Sequence, residues 1–174
     1  QLQSAFIDKT HPILEEVAAD ITETVHIGVL KTNRVFYVDK VESPQGLRIS
    51  SNIGSYNPAY CTGLGKVLLS FLPADEQATA LRILQQQKLR AFTPNTITER
   101  SNLANEVAKI KARGYAIDRE EFELGLICVA VPIFNQQDEL VASLSASGPA
   151  NRFEENKVTN YVTTLQKGAE KIRS

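Results

Sequence analysis

The order of patterning along this chain limits its fold more than any single motif: helix, strands, helices, strands, helix. Phe6, Ile13, Leu14, Val17 and Ile21 recur at helical spacings, with Glu15, Glu16 and Asp20 on the opposite side. Pro12 marks either the start of that helix or a kink in a longer one. Two β-rich runs follow, Thr24–Leu30 and Val35–Val41, split by Lys31-Thr32-Asn33-Arg34 as in a hairpin. Gly46–Ser51 is a candidate third strand. Helical patterning returns after Pro58: Gly65–Phe71 is dense in Val and Leu, and Pro73 with Ala74-Asp75-Glu76 opens another helix. A run from Thr98 carries Leu103, Val107 and Ile110 on one face and stops at Gly114, a left-handed cap. Strands Leu126–Phe134 and Leu140–Ser147 are joined by polar Asn135–Glu139, and the tail from Arg152 bears Val158, Tyr161, Val162, Leu165, Ala169 and Ile172 as an amphipathic stripe. This order predicts an α+β sandwich, a mostly antiparallel sheet with helices on it. Without repeats or linkers, 174 residues imply one domain over 1–174, able to bury a core without disulfides or metals.

Charge and cysteine usage exclude several classes. Nineteen Lys and Arg against 20 Asp and Glu give a net charge of −1, so no global field draws in nucleic acid or an anionic membrane. Cys61 and Cys128 form no metal-ligand spacing, which argues against a metal or a secreted disulfide scaffold and fits a reducing cytoplasm. No apolar run approaches the ~18–20 residues a bilayer demands. The chain opens on Gln-Leu-Gln-Ser with no methionine, and reads as a piece of something longer.

Three segments could carry chemistry. In Pro58-Ala59-Tyr60-Cys61-Thr62-Gly63-Leu64-Gly65-Lys66, small residues at a helix start leave unpaired N–H donors, which suit a carboxylate or phosphate; alternatively Gly63 and Gly65 only permit tight packing. The segment is not a Walker loop. In Gly114–Pro132, alternation puts Leu126, Cys128 and Ala130 on one face and Ile127, Val129 and Val131 on the other. Asp118 either accepts a ligand hydroxyl or caps a turn, Arg119–Glu121 and Glu123 read mostly as a solvated turn, and Cys128 reads as an apolar core thiol rather than a reactive one. In Val141–Pro149, Ser143, Ser145 and Ser147 share one strand face, which faces water or lines a polar pocket. Catalysis has little support. His11 and His26 are the only histidines, His26 reads as a satisfied structural residue, and Glu120 and Glu121 alternate rather than face one atom.

Taken together, these segments resemble the C-terminal effector-binding domain of IclR-family bacterial transcription regulators. Thr22-Glu23-Thr24-Val25-His26 resembles the family's "GETV" strand opening, and Tyr60–Leu69 its "ATALGKALL" helix. Gly114-Tyr115-Ala116-Ile117-Asp118 through Gly125–Phe134 resembles its most diagnostic block, and Ser145-Ala146-Ser147-Gly148-Pro149-Ala150-Asn151-Arg152 its "SISGP..R". The resemblance implies a GAF-like α+β fold whose pocket holds a small organic acid. The helix-start backbone at Gly63 and Leu64 would receive the carboxylate, and Asp118, Cys128, Ser145 and Ser147 would complete the polar lining beside Leu126. The one departure is Leu64, where the family often has alanine, which bears on pocket volume and not on the backbone contact. The resemblance further implies a non-enzymatic sensor without cofactor, of a cytoplasmic regulator whose winged helix-turn-helix is not encoded here, self-associating as a dimer or tetramer and controlling DNA binding allosterically. The rival readings are an enzyme using Cys128 as nucleophile, and a dimerisation module with no cavity.

Overall fold

The computed structural model describes residues 2–43 and 52–173. Helix α1 (Leu2–Ile21) runs through Pro12 and presents Leu14, Val17, Ala18 and Ile21 to the core. The hairpin of β1 (Thr24–Lys31) and β2 (Arg34–Val41) turns at Thr32 and Asn33, both left-handed at φ 53° and 60°. Two consecutive positive φ values make the tight turn whose twist matches its strands. A short strand β3 (Tyr56–Pro58) pairs with the start of β2. The sequence reading begins a helix after Pro58 without it, because three residues are too few for an alternation to register. The Gly46–Ser51 strand lies outside the described residues.

Helices α2 (Gly63–Ser70), α3 (Ala74–Gln86) and α4 (Arg100–Arg113) come next, the last closed by Gly114 at φ 90°. Strands β4 (Ala116–Arg119), β5 (Leu126–Phe134) and β6 (Leu140–Pro149), a 3-10 turn at Ala150–Arg152 and helix α5 (Glu155–Arg173) complete the chain.

Among the described residues the sheet has six strands in the order β3-β2-β1-β6-β5-β4, with every adjacent pair antiparallel. The α+β expectation holds. The sheet separates two cores. On one side α1 and α5 cover Ile27, Val129, Val131 and Leu144; on the other, α2, α3 and α4 bury Leu64, Val67, Leu68, Leu103 and Ile110. Ile127, Val129 and Val131 occupy the first side and Cys128 the second, the two faces that alternation assigns.

Two glycines set how closely α2 approaches the sheet. A Cβ on Gly65 would stand 2.3 Å from the Ala59 backbone, and one on Gly28 would stand 2.7 Å from Val35 and 3.2 Å from Leu64. Gly28 also sits where the β1–β2 register shifts, a local bulge. On the far side Glu23, only 1% exposed, accepts from Arg152 Nε at 2.9 Å and Nη2 at 2.7 Å, tying β1 to the turn before α5.

Candidate functional site

The register of the ladders lays out a polar floor beneath α2. Thr24 faces Ser147, Ser147 faces Cys128 and Cys128 faces Asp118; in the next row His26 faces Ser145 and Ser145 faces Ala130. Ser143, further along the same face, donates its hydroxyl to Leu64 O at 3.2 Å and so fastens α2 to the sheet. Thr62 caps the helix: its hydroxyl accepts from Gly65 N at 3.2 Å and donates to Pro58 O at 2.8 Å. Lys66 N is used by Thr62 O. That leaves the first two N–H groups, of Gly63 and Leu64, without a recorded acceptor among the described residues. They open onto a cavity of about 40 Å³ between α2, the floor and the Phe122–Glu123 segment.

All seven positions expected from the sequence line that one cavity: Gly63, Leu64, Asp118, Leu126, Cys128, Ser145 and Ser147. A second, larger cleft of about 950 Å³ between α3 and the β1–β2 turn is reached by none of them. The packing reading of the glycines is also true: Gly65 is required by the Ala59 backbone, and a Cβ on Gly63 would stand 3.3 Å from that of Cys128. Ser147 donates to Cys128 Sγ at 3.0 Å. Burial pushes the Cys128 thiol well above its usual range, the opposite of what a thiolate nucleophile needs.

Asp118 both caps a turn and faces the cavity. Its Oδ1 accepts from Glu121 N at 2.7 Å, and it is 1% exposed. Burial, then the neighbouring Glu121 carboxylate, pushes its carboxyl up to about 7 from the ordinary 3.8. The solvated-turn expectation for Arg119–Glu121 is corrected at Glu121, which is 6% exposed. Its Oε2 accepts from Lys66 Nζ at 2.7 Å, and the same ammonium reaches Glu106 Oε2 at 2.7 Å and Ile117 O at 2.8 Å. Lys66 is itself fully buried. One cation thus serves two carboxylates, with Asp118 beside them, and Glu121 Oε1 has no partner among the described residues. Burial raises the Glu121 carboxyl and Lys66 opposes that shift. The ion pair anchors the Glu120–Gly125 segment, which Thr93 also holds through its hydroxyl to Glu120 O at 2.6 Å and Phe92 through its ring, 4.9 Å from that of Phe122.

Sequence reasoning missed Lys66 and Glu121. The available signal was a lysine between Leu64, Gly65, Val67 and Leu68 in a helix without a polar face, which demands a buried counter-charge. It also missed the wall opposite Asp118, where His26, Tyr37 and Asn57 line the cavity. Burial pushes the His26 imidazole down to about 3, so it is neutral. His11, the other histidine, lies outside the cavity on α1 and bonds Asp39 at 2.8 Å. No group of three His, Cys, Asp or Glu among the described residues could hold a metal ion, and no described helix is long and apolar enough to cross a membrane.

This architecture recurs in known proteins. Residues 3–174 match the family model described as the bacterial transcriptional regulator IclR C-terminal. The chain is 37% identical over 159 residues to the HTH-type transcriptional regulator KdgR of Escherichia coli, covering 91% of this chain but 59% of that protein. The crystal structure of Thermotoga maritima IclR superposes with a TM-score of 0.90 at 39% identity, over 97% of this chain and 67% of that one. The inducer-binding domain of a PobR double mutant from Acinetobacter, solved with 3-hydroxybenzoic acid, superposes with a TM-score of 0.83 at 29% identity, over 94% of both chains. A full-length family match and relatives above 30% identity leave one assignment: the chain belongs to the C-terminal family of bacterial IclR transcriptional regulators.

Proposed function

We propose that residues 1–174 form a single effector-binding domain that senses a small organic acid. The N–H groups of Gly63 and Leu64 and the positive end of α2 receive the carboxylate, with the Ser145 and Ser147 hydroxyls beside them. Charge-assisted hydrogen bonds of this kind contribute about 1.5–3 kcal/mol each, so no buried cation is needed. Asp118 takes a ligand hydroxyl or a hydrated carbonyl, and Leu126 and Cys128 close the apolar side. The observation that carries this reading is the convergence of two unpaired helix-start donors and a buried serine edge on one cavity. The PobR domain, whose structure holds 3-hydroxybenzoic acid, supports an acid as the ligand class.

Volume narrows the choice among keto, sugar and aromatic acids. One water needs about 10–15 Å³ of cavity, so about 40 Å³ holds three or four water-sized atoms, the scale of a two-carbon acid. A sugar acid or a benzoate enters only if Leu64 or Phe122 gives way. In a longer regulator, the bound acid shifts the balance between conformations or dimer and tetramer arrangements and so changes operator binding by a tethered winged helix-turn-helix in the cytoplasm. A coupling of about 1–3 kcal/mol gives a 5–150-fold change. The domain needs no cofactor and performs no catalysis.

Titration calorimetry with pyruvate, glyoxylate, gluconate and 3-hydroxybenzoate tests the site. At least one of them binds, and Ser147→Ala and Asp118→Ala each weaken it at least about fivefold. Silence across the set, or affinities untouched in both variants, refutes the assignment.

A further inference from the structure

The cavity has a second polar wall, built from β1, β2 and β3 and occupied by none of the expected positions. Tyr37 and His26 are 6% and 3% exposed, with ring centroids 5.4 Å apart and meeting edge to face. Asn57 Nδ2 donates to Tyr37 Oη at 3.1 Å. A phenol that accepts a hydrogen bond still has its own proton to give, and that proton has no acceptor among the described residues. Burial holds the Tyr37 phenol above its usual range, so it remains a donor at every physiological pH. His26 is neutral for the same physical reason. The residues of this wall that line the cavity are therefore uncharged, desolvated and equipped to recognise an oxygen atom; Lys40, opposite His26 on β2, pairs with Glu42 at 3.5 Å and does not line the cavity.

Its position relative to the helix start sets what it can touch. The Gly63 end of α2 sits over Cys128 on β5, and Tyr37 stands on β2, three strands away in the order β2-β1-β6-β5. The Tyr37 row crosses β1 at Gly28 and β6 at Ser143 and meets β5 at Pro132, four residues from Cys128, so Tyr37 and the helix start lie diagonally across the sheet while both line the one cavity. An acid anchored at Gly63 and Leu64 thus presents its other end to Tyr37, with Asp118 to one side on β4.

Resting on the acid-sensor reading, we propose that Tyr37, braced by Asn57 and flanked by His26, reads an oxygen substituent at the end of the ligand remote from its carboxylate. Tyr37 thereby sets a preference for acids that carry such an oxygen over plain acids of the same size. A plain acid leaves the Tyr37 hydroxyl buried without a partner.

Matched pairs that differ by one remote hydroxyl test this: 3-hydroxypropionate with propionate, and 3-hydroxybenzoate with benzoate, titrated calorimetrically into the wild-type domain and Tyr37→Phe. In the wild type the hydroxylated member of at least one pair binds at least about fivefold tighter. In Tyr37→Phe the two members come within about twofold of each other while the unsubstituted acid keeps its affinity. A preference that survives in Tyr37→Phe, an equal weakening of both members, or no preference in the wild type overturns the inference and leaves the acid site standing. If no acid of either pair binds the wild type, this inference falls; the acid-sensor reading falls with it only if pyruvate, glyoxylate and gluconate are silent as well. Should Tyr37→Phe not fold, Asn57→Ala removes the brace from a half-buried edge position, and the same loss of preference is expected.

Discussion

Asp118→Asn separates the demands of the pocket from those of the fold. The Asp118 carboxyl titrates near 7 in the folded chain against an ordinary 3.8, chiefly because it is buried and secondly because Glu121 lies beside it. Below pH 4 both folded and unfolded chains hold the proton and the group contributes nothing. Between about 4 and 7 the unfolded chain releases its proton while the folded chain keeps it, so each pH unit favours unfolding by about 1.4 kcal/mol. Above 7 the folded carboxyl ionises too, and the penalty levels off at about 4 kcal/mol. Asparagine is uncharged throughout, and its Oδ1 still accepts from Glu121 N. Guanidinium unfolding of both proteins between pH 4.5 and 8.5 therefore yields a difference of only about 1 kcal/mol at the acid end. At pH 8 the variant is the more stable by about 2–4 kcal/mol. The other titrating groups are shared by the two proteins and largely cancel in the difference. A gap that does not change with pH, or a variant less stable at pH 8, refutes the reasoning.

Other expectations follow from the packing around the site. Gly65→Ala places a Cβ 2.3 Å from the Ala59 Cα and carbonyl oxygen, both backbone atoms, and costs about 3 kcal/mol or more in chemical denaturation. Lys66→Met strands Glu121 and Glu106 without their cation and costs about 3–5 kcal/mol at pH 8; the deficit shrinks as the pH falls, because burial raises the Glu121 carboxyl and favours its protonated form. Cys128 reacts with iodoacetamide at pH 7.5 more slowly than free cysteine, by intact-mass spectrometry, because burial keeps its thiol protonated. Rapid alkylation of Cys128 would favour the nucleophile reading instead.

What the sequence made legible, and what it hid, divides by the range of the interaction. β5 begins and ends at Leu126 and Phe134 as read, because its unbroken apolar run is bounded by Gly125 and by polar Asn135–Glu139. The hairpin and the Gly114 cap were equally visible, since each is decided within about four residues. The seven lining positions were legible only through three spaced motifs taken together. Alternation alone shows that Ser145 and Ser147 share a face, but not that α2 descends on it. That descent depends on Gly28 and Gly65, whose roles are contacts with Leu64 and Ala59. Lys66 and Glu121 stayed hidden because their pairing spans 55 residues, and a local charge pattern reads Glu121 as solvent-facing. Tyr37 and Asn57 escaped for the same reason, their bond joining two strands on either side of a long segment.

The wall that hid best is also where the fold tolerates most strain. Within four residues, Asp118 is buried with a carboxyl that resists ionisation, Glu120 adopts a left-handed φ of 58°, and Glu121 buries an oxygen without a partner among the described residues. The left-handed backbone and the orphaned oxygen each cost of order 1–3 kcal/mol and the Asp118 carboxyl up to about 4 kcal/mol above pH 7, and none would survive unless the surrounding structure imposed it. The surrounding structure does so through Lys66, which draws Glu121 inward from α2, and through Thr93, which holds the Glu120 carbonyl. Lys66 lies one turn beyond Gly63 and Leu64 on the same helix, so the helix proposed to receive the acid also fixes the wall that carries Asp118. The serine edge lacks this property. Ser145 and Ser147 stand in the middle of the sheet between β1 and β5, where paired backbones leave no comparable strain. If the pocket enlarges to take a larger acid, the energetics therefore favour movement of the Glu120–Gly125 segment over any movement of the floor.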